Sequence, residues 1–338
     1  MNDPFDSALV FQVARMIFEE GLGATEVSNR LRDDGYAVSR EGVYPLIGVA
    51  LRAGIVELVP PPAPALEEAI RSRFSLKKGR VHVVQTSGPS AGDDVASATA
   101  RRAAELIKEL KRHRECPGIG LGPGAATRDF CRHLARRLSA QPALCPVKLF
   151  AITAGCPATR PELSSTAFFN LFPPEASQDR MGLFAPATVE VDRHQQALKQ
   201  MGARETYDTR HEIDIVVTAM GSFEDPHDLL RQFLPPEDVN PDWLGNVQYR
   251  PYSATGPVKE KRGQRAVTLF ELDDFTKLAS SRDKHVLLMV RSCSATGCKV
   301  SKGRACLPLL AQPSLHVWSE VFLDFATARD VVGTWPAG

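Results

Sequence analysis

The sequence has no apolar run near the roughly 18 residues that a membrane-spanning helix requires, and its first residues lack the basic start of a secretory signal. Both absences predict a cytoplasmic protein that makes no membrane contact. The chain also has little net charge, +1, because 41 Lys and Arg oppose 40 Asp and Glu. No global field therefore attracts nucleic acid, and any DNA contact has to come from a local surface or from paired subunits.

Cysteine pairs of the C-x-x-C type are also missing. The seven cysteines are odd in number and lie at positions 116, 131, 145, 156, 293, 298 and 306. This pattern favours reduced thiols, mostly packed in the core, and predicts neither a metal nor a cofactor. Because Cys293, Cys298 and Cys306 fall close together, a redox-sensor or metal role stays open as an alternative.

A length of 338 residues, 43% of them hydrophobic, is enough for one large core and a small satellite domain. The run Val-Pro-Pro-Pro-Ala-Pro-Ala at 59–65 is a stiff spacer, followed by a short charged helix. We predict an N-terminal domain over residues 1–59, a linker over 60–78 and a large domain over 79–338.

The N-terminal domain shows three short helical patterns and then a strand-like run. Apolar spacing predicts a helix over residues 7–20, a second helix ends at Gly35, and Ser39 is placed to cap a third. The run Ile55-Val56-Glu57-Leu58-Val59 could form a wing. This order predicts a winged helix-turn-helix, in which the start of the third helix presents side chains to DNA base edges.

The DNA-contacting candidates at that helix start are Ser39, Arg40, Glu41 and Tyr44, with Arg40 as the main reader of base or phosphate. Two features oppose this reading. Residues 1–60 hold five Arg and no Lys against nine Asp or Glu, a formal charge of −4, and Pro45 fits only if the helix begins near Tyr44 or kinks. A packing or dimerisation module without DNA binding therefore stays open.

From Val81 onward, short apolar runs alternate with helical stretches. The predicted strands lie at 81–84, 118–122, 147–153, 213–218, 286–290 and 315–318. This alternation predicts an α/β fold with a parallel sheet and helices on its faces.

In such sheets, ligands bind beyond the carboxyl ends of the strands. Four loops are candidates, and the first, Gly-Pro-Gly-Ala-Ala-Thr at 122–127, leads into a helix whose start favours an anion. Arg291, in the fourth loop, could bind a phosphate or carboxylate, or form an internal salt bridge. The effector-binding candidates are Gly122, Gly124, Thr127, Thr153, Gly155, Gly221, Ser222, Arg291, Ser292, Lys299 and Lys302.

The chain resembles the SorC family of sugar-responsive repressors over nearly its whole length. The residues that carry the resemblance are Ser-Arg-Glu-Gly-Val at 39–43, Ala-Leu-Arg-Ala-Gly-Ile-Val at 50–56, Gly-Ile-Gly-Leu-Gly-Pro-Gly at 118–124, Ile-Val-Val-Thr-Ala-Met-Gly-Ser at 215–222 and Asp-Phe-Ala-Thr-Ala at 324–328. The resemblance implies an effector domain with the sugar-phosphate isomerase and CoA-transferase-like fold, stripped of catalysis. It also implies a phosphorylated sugar as ligand and dimers or tetramers on operator DNA.

The resemblance assigns Gly122, Gly124 and Thr127 to the first effector loop, Gly155 to the second and Gly221 to the third. The sequence departs from the family in its fourth loop, which reads Arg-Ser-Cys-Ser at 291–294 where a glycine pair and a lysine are usual. It departs again at Asn246, where an acidic residue is usual.

We therefore expect a DNA-binding transcription regulator, and not an enzyme, whose activity is controlled by a small anionic metabolite. One alternative is an isomerase- or deaminase-like enzyme on the same sheet, with Asp214, Glu224 or Asp225 as the proton acceptor. The other is a divergent regulator that acts only through protein contacts.

Overall fold

The computed structural model describes residues 6–76, 80–85, 91–260, 262–293, 295, 298 and 300–334. They divide into two compact units. The first holds the described residues up to Val59 together with Arg136–Pro142, and the second holds the described residues of 60–135 and 143–338. Among the described residues, no helix combines the length and the apolar character needed to cross a membrane.

The first unit contains a head of three helices, α1 (Ser7–Phe18), α2 (Ala24–Asp33) and α3 (Arg40–Arg52). Their apolar faces form one small core, to which each helix contributes: Leu9, Val10, Val13, Ala14, Met16, Val27, Leu31, Val43, Leu46, Val49 and Ala50. The helical periodicity of the sequence therefore corresponds to a buried stripe on each helix.

Both predicted helix caps in the head are confirmed. Gly35 has a φ of +89°, and its N–H donates to Arg32 O at 3.0 Å while Tyr36 N–H donates to Leu31 O at 2.7 Å. This is the paired arrangement of a Schellman cap, which needs a left-handed residue after the helix. Ser39 Oγ accepts from Gly42 N at 3.1 Å and caps the start of α3.

The expected wing and one of the two alternatives for Pro45, a late helix start, are wrong. Residues 55–59 form no strand, because the N–H groups of Ile55 and Val56 both donate to Ala50 O and complete the end of α3. These two side chains pack on the head core, so no wing is formed there. In addition, α3 begins at Arg40 and continues through Pro45, rather than starting near Tyr44.

The second unit carries the remaining helices and strands. In chain order they are α4 (Pro64–Arg73), β1 (Arg80–Val84), α5 (Ala91–Leu110), β2 (Gly118–Leu121), α6 (Ala125–Ala140, whose last turn falls in the first unit), β3 (Val147–Ala151), β4 (Ser177–Met181), β5 (Thr188–Glu190), α7 (His194–Leu198), α8 (Arg204–Asp208), β6 (Ile213–Ser222), β7 (Gly245–Val247), β8 (Arg250–Ser253), β9 (Gly256–Pro257), β10 (Gln264–Ala266), α9 (Leu272–Ser280), β11 (His285–Val290), α10 (Gly303–Ala311), β12 (Glu320–Asp324) and α11 (Phe325–Thr334).

Seven strands form a parallel sheet in the order β1-β12-β11-β6-β2-β3-β4. The last residues of β6 pair antiparallel with β7, and a short ribbon continues through β8 and β9. The predicted α/β fold with a parallel sheet is confirmed. Because β11, β6 and β2 are neighbours, the segments that follow them meet at one edge of the sheet.

The strand predicted at Leu315–Trp318 is wrong, since the strand of this region is β12, which begins at Glu320. Leu315 and Trp318 are buried, but they close the end of α10, where Trp318 Nε1 donates to Leu309 O at 3.0 Å. The polar residues at both ends of β12 are buried as well, which hid this strand from a search for apolar runs.

Candidate ligand cavity and DNA-contacting helix

A cavity of about 120 Å³ lies at the carboxyl ends of β6 and β11, beside the start of α6. Its walls come from the segments that follow β2, β3, β6 and β11, and from the β7–β8 turn. Pro123, Gly124, Ala125 and Ala126 bring the first turn of α6 to the cavity. Because the first turn of a helix leaves backbone N–H groups without intrahelical acceptors, this wall favours an anion.

Five of the predicted effector residues line this cavity, namely Gly124, Gly221, Arg291, Ser292 and Lys302. The structure therefore brings together residues from three of the four predicted loops. Lys299 lies outside the described residues.

The other predicted residues that the structure describes do not line the cavity. Thr127 and Ser222 are buried, and Gly122 packs so tightly that a Cβ would lie 2.4 Å from Thr218 Oγ1. Gly155 has a φ of +85° and faces Ala187. A Cβ added at Gly155 would lie 2.3 Å from the Cβ of Ala187. Thr153 is one step removed from the cavity, because its Oγ1 accepts a hydrogen bond from Gln248 Nε2 at 2.8 Å.

Cationic groups reach the cavity from three directions, and one of them is Arg160, which lies after β3 and pairs with Glu162 at 3.4 Å. Arg291 is 5% exposed and donates to Asp129 Oδ2 at 2.9 Å, a carboxylate that also meets Arg128 at 3.3 Å and Arg132 at 3.6 Å. The internal salt bridge weighed for Arg291 is thus present. Three guanidinium groups share one carboxylate, so the local charge is positive.

Lys302 supplies the third cation. Its Nζ donates to Met220 O at 2.9 Å and lies 4.0 Å from Asp225 Oδ2. Neither contact is a short ion pair. The ammonium group, at the end of a long flexible side chain, can therefore turn toward a bound anion.

The facing wall is polar, and the sequence patterns did not single out its residues as ligand contacts. Asp228 is buried and accepts from Asn246 Nδ2 at 3.1 Å and from Leu230 N at 2.9 Å. Burial raises the pKa of Asp228 to about 6, although Lys302 and the Asn246 amide act in the opposite direction. Gly221 makes room for this group, since a Cβ there would lie 2.0 Å from Asp228 Oδ2.

Gln248 and Tyr249 form the two-residue turn between β7 and β8, and both line the cavity. Their φ angles are +55° and +61°, in the left-handed region that residues with a Cβ seldom adopt. Gln248 is 1% exposed, and its Oε1 has no hydrogen-bond partner among the described residues. A buried acceptor without a partner is rare in proteins, and here it lies at a cavity wall.

The residues nominated as a catalytic base lie in different places. Asp214 is at the amino-terminal end of β6, away from the cavity, and Glu224 pairs with Arg304 at 2.8 Å on the surface. Asp225 does line the cavity, next to His227 and Cys293.

These three side chains differ from a nucleophile–histidine–carboxylate triad. In such a triad, the two ring nitrogens serve different partners. Here Cys293 Sγ at 3.5 Å and Asp225 Oδ1 at 3.4 Å both approach the same atom, His227 Nδ1. Burial, together with contacts to Cys298 and Asp225, raises the pKa of Cys293 to about 11, so the thiol is protonated at neutral pH. The arrangement does not activate a nucleophile.

All seven cysteines are free thiols. Cys131 and Cys306 are buried as expected, whereas Cys156 is exposed and the other four are half-buried. The core role predicted for most cysteines therefore holds for two of them.

Comparison with solved structures identifies the fold. The full-length sorbitol operon regulator SorC from Klebsiella pneumoniae matches with a TM-score of 0.60 at 16% identity, over 98% of this chain and 100% of that chain. The chain has the fold of SorC. Because the match spans almost all of both chains, the SorC-like fold includes the three-helix head as well as the α/β unit.

Two further structures match about four fifths of the chain. A domain from Arthrobacter aurescens, described as a possible sugar-binding transcriptional regulator, has a TM-score of 0.57 at 16% identity, over 80% of this chain and 97% of that chain. A DeoR family transcriptional regulator from Listeria monocytogenes has a TM-score of 0.54 at 15% identity, over 79% and 98% of the two chains. No protein-family model and no curated protein matches the sequence.

In the head of this SorC-like fold, the predicted DNA-contacting residues lie at the start of α3. Arg40, Glu41 and Tyr44 are exposed, Tyr44 to 57%, while the hydroxyl of Ser39 is engaged in the helix cap. Arg30, in the last turn of α2, donates to Glu20 at 2.6 Å. Arg40 thus remains the accessible cation on the first turn of α3.

Proposed function

We propose that this protein is a DNA-binding transcription regulator whose α/β unit binds a small anionic metabolite, a phosphorylated sugar. The protein acts as a cytoplasmic dimer or tetramer on operator DNA and performs no catalysis. Occupancy of the cavity changes how the heads of paired subunits engage their two half-sites. The fold it shares with SorC supports the class, and the cavity supports the ligand.

The observation that carries the proposal is the unequal chemistry of the cavity walls. One wall offers Arg291 and the start of α6, which suit a phosphate group. The facing wall offers Asp228 and the unpartnered Oε1 of Gln248, which suit sugar hydroxyl groups. An anionic polyol satisfies both walls at once, whereas an apolar ligand would leave these buried polar groups without partners.

The head supports the DNA half of the proposal through α3. Its first turn is exposed and carries Arg40 beside Tyr44, as required of a helix that enters a major groove. The head is acidic overall, so a single head makes few phosphate contacts and binds DNA weakly. Pairing of two heads compensates, because it doubles the contacts made by one complex.

Ligand binding is tested by calorimetry on the full chain with a panel of sugar phosphates and the matching free sugars. We expect at least one sugar phosphate to bind and its free sugar to bind about tenfold or more weakly, since a charge-assisted hydrogen bond contributes roughly 1.5–3 kcal/mol. Lys302→Gln is expected to weaken binding similarly. Lys277→Gln, which removes a lysine that is 79% exposed on α9, is the matched control and leaves the affinity unchanged.

DNA binding is tested by mobility shift on fragments that flank the protein's own coding region, at about 50 mM and about 200 mM salt. A specific complex should form at low salt, and the bound sugar phosphate should alter it. Arg40→Ala should weaken it, whereas Arg101→Ala, the same charge change on the exposed face of α5, should not. Absence of a specific complex in every condition contradicts the DNA half of the proposal. Turnover of a sugar phosphate by the purified protein would favour the enzyme alternative.

A further inference from the structure

The segments after β6 and β11 bring together a cluster of side chains that the proposed function does not use. Asp225 and His227 come from the first segment, and Cys293 and Cys298 from the second. Because β6 and β11 are neighbouring parallel strands, their carboxyl ends place the two segments side by side. The sequence spacing, D-x-H and then C-x-x-x-x-C some 65 residues later, gives no local motif.

The distances within this cluster suit a single cation. One ligand atom from each of the four residues lies within 4.8 Å of all the others. His227 Nδ1 lies 3.4 Å from Asp225 Oδ1 and 3.5 Å from Cys293 Sγ. In a tetrahedral zinc site, bond lengths of 2.0–2.3 Å place neighbouring ligand atoms roughly 3.3–3.8 Å apart. The cluster needs little contraction to reach that geometry.

The donor set identifies the class of metal. Two thiols and one imidazole suit zinc, whereas magnesium and calcium take oxygen ligands. We propose that Asp225, His227, Cys293 and Cys298 form a binding site for one zinc ion at the rim of the cavity. Among the described residues, no second group of His, Cys, Asp and Glu side chains meets the same distance criterion.

The surroundings hold the ligands in place. Asp225 is 4% exposed, and its Oδ1 accepts from His227 N at 2.9 Å, which fixes the carboxylate beside the imidazole. Lys302 approaches the other carboxylate oxygen, Oδ2, at 4.0 Å. Oδ1 therefore remains the oxygen that faces the cluster, with a lone pair for the metal, while Lys302 and the metal share the charge of one carboxylate.

The inference stands apart from the proposed function, because it concerns metal binding by four side chains and requires neither a sugar nor DNA. The full chain is stripped with a chelator in a non-thiol reductant, which keeps the thiols reduced. Zinc is then titrated in competition with a chromophoric chelator. Cobalt replaces zinc in a second titration, because thiolate ligation of cobalt gives a charge-transfer band in the near ultraviolet.

We expect one zinc per chain, a thiolate–cobalt band, and a higher unfolding temperature with zinc. Cys298→Ser and His227→Gln should each weaken zinc binding at least tenfold, because even the loss of an outer partner of a metal ligand costs about that much. Cys156→Ser removes an exposed thiol outside the cluster and should change nothing. His227 is 45% exposed, so its variant should fold even if a cysteine variant does not.

Two results would overturn the site. One is the absence of a thiolate–cobalt band in the wild-type protein. The other is zinc affinity that stays the same in both Cys298→Ser and His227→Gln.

Discussion

At the amino-terminal end of the parallel sheet, buried carboxylates are surrounded by cations, whereas at the carboxyl-terminal end a buried carboxylate is not. Asp214, on β6, accepts from Lys284 Nζ at 3.0 Å and from Gly118 N at 3.0 Å, and it lies 3.2 Å from Arg114. Glu320, at the start of β12, meets His82 and Arg102, each at 2.9 Å.

Asp228, at the opposite end, has only an amide and a backbone N–H as its close partners in the described structure. The pKa directions express the contrast. Burial alone would raise the pKa of Glu320, but His82 and Arg102 outweigh it and lower the value, whereas burial prevails at Asp228 and raises its pKa to about 6. At the amino-terminal end of the sheet, carboxylates paired with cations stabilise the fold. At the carboxyl-terminal end, a carboxylate without a close cation remains able to bind a ligand.

The largest contrast is expected between two glycine substitutions. A Cβ at Gly118, at the amino-terminal end, would lie 2.3 Å from the backbone oxygen of Glu212, which cannot move without shifting β6. At Gly221 it would meet the side chains of Asp228 and Asn246, which can turn into the cavity. Gly118→Ala should cost at least about 3 kcal/mol of unfolding free energy and Gly221→Ala about 1 kcal/mol, measured by urea denaturation. Equal losses of unfolding free energy would show that the cavity wall is as rigid as the amino-terminal end of the sheet.

Removal of the Glu320 charge comes next in size. Glu320→Gln removes the buried carboxylate that Arg102 and His82 share, although Arg102 keeps Glu105 at 3.1 Å and Glu109 at 3.6 Å. It should lower the free energy of unfolding by about 2 kcal/mol, the size of a lost hydrogen bond between charged groups. Glu68→Gln breaks an exposed pair with Arg71 and serves as the control, with an expected cost below about 1 kcal/mol. If the Glu320 variant were as stable as this control, the contacts of Glu320 with Arg102 and His82 would contribute no stability.

The pH dependence of that loss follows from the lowered pKa of Glu320. A carboxyl whose pKa is lower in the folded state than its ordinary 4.5 stabilises the fold above pH 4.5, and this contribution is lost as the pH falls through the folded value. The wild type should therefore approach the Glu320→Gln variant in stability as the pH is lowered from 7 into the acid range. Urea titrations at several pH values measure the gap, and a constant gap would contradict the assigned cause.

The smallest effect is expected at Asp228. Asn is close to isosteric and removes a buried carboxylate that lacks a short cationic partner, so Asp228→Asn should leave the protein as stable at pH 7 or up to about 1 kcal/mol more stable. The same variant should weaken sugar-phosphate binding in calorimetry. Strong destabilisation would show that Asp228 serves the fold in the way that Glu320 does.

Much of the fold could be predicted from local patterns. Gly35 and Ser39 mark helix ends because capping uses a few neighbouring residues, and the apolar runs of β6 and β11 mark central strands. The patterns failed where contacts with residues distant in the sequence decide the local structure. Ile55 and Val56 have a strand-like composition but pack on the head core. The strand β12 is bounded by two buried carboxylates, of which Glu320 pairs with Arg102 and Asp324 accepts from the backbone N–H groups of Ser292 and Thr327.

The candidate cavity was predictable only in part. Glycine-containing loops after strands pointed to Gly124, Gly221 and Arg291, since that signal is local. Asp228 and Gln248 lie within residues 224–265, a stretch rich in Pro, Gly and polar residues that has no glycine-containing loop directly after an apolar strand. Their roles depend on the β7–β8 ribbon folding back over β6, a non-local pairing with no sequence pattern of its own.

The turn of Gln248 and Tyr249 has a consequence for engineering. Hairpins of this length most readily take asparagine and glycine, which adopt positive φ at little cost. Replacing Gln248 and Tyr249 with Asn-Gly should relieve the backbone strain of the turn and stabilise the hairpin. It would also replace the Gln248 amide with one that reaches less far into the cavity and remove the Tyr249 phenol ring, so the stabilised protein should bind its ligand more weakly.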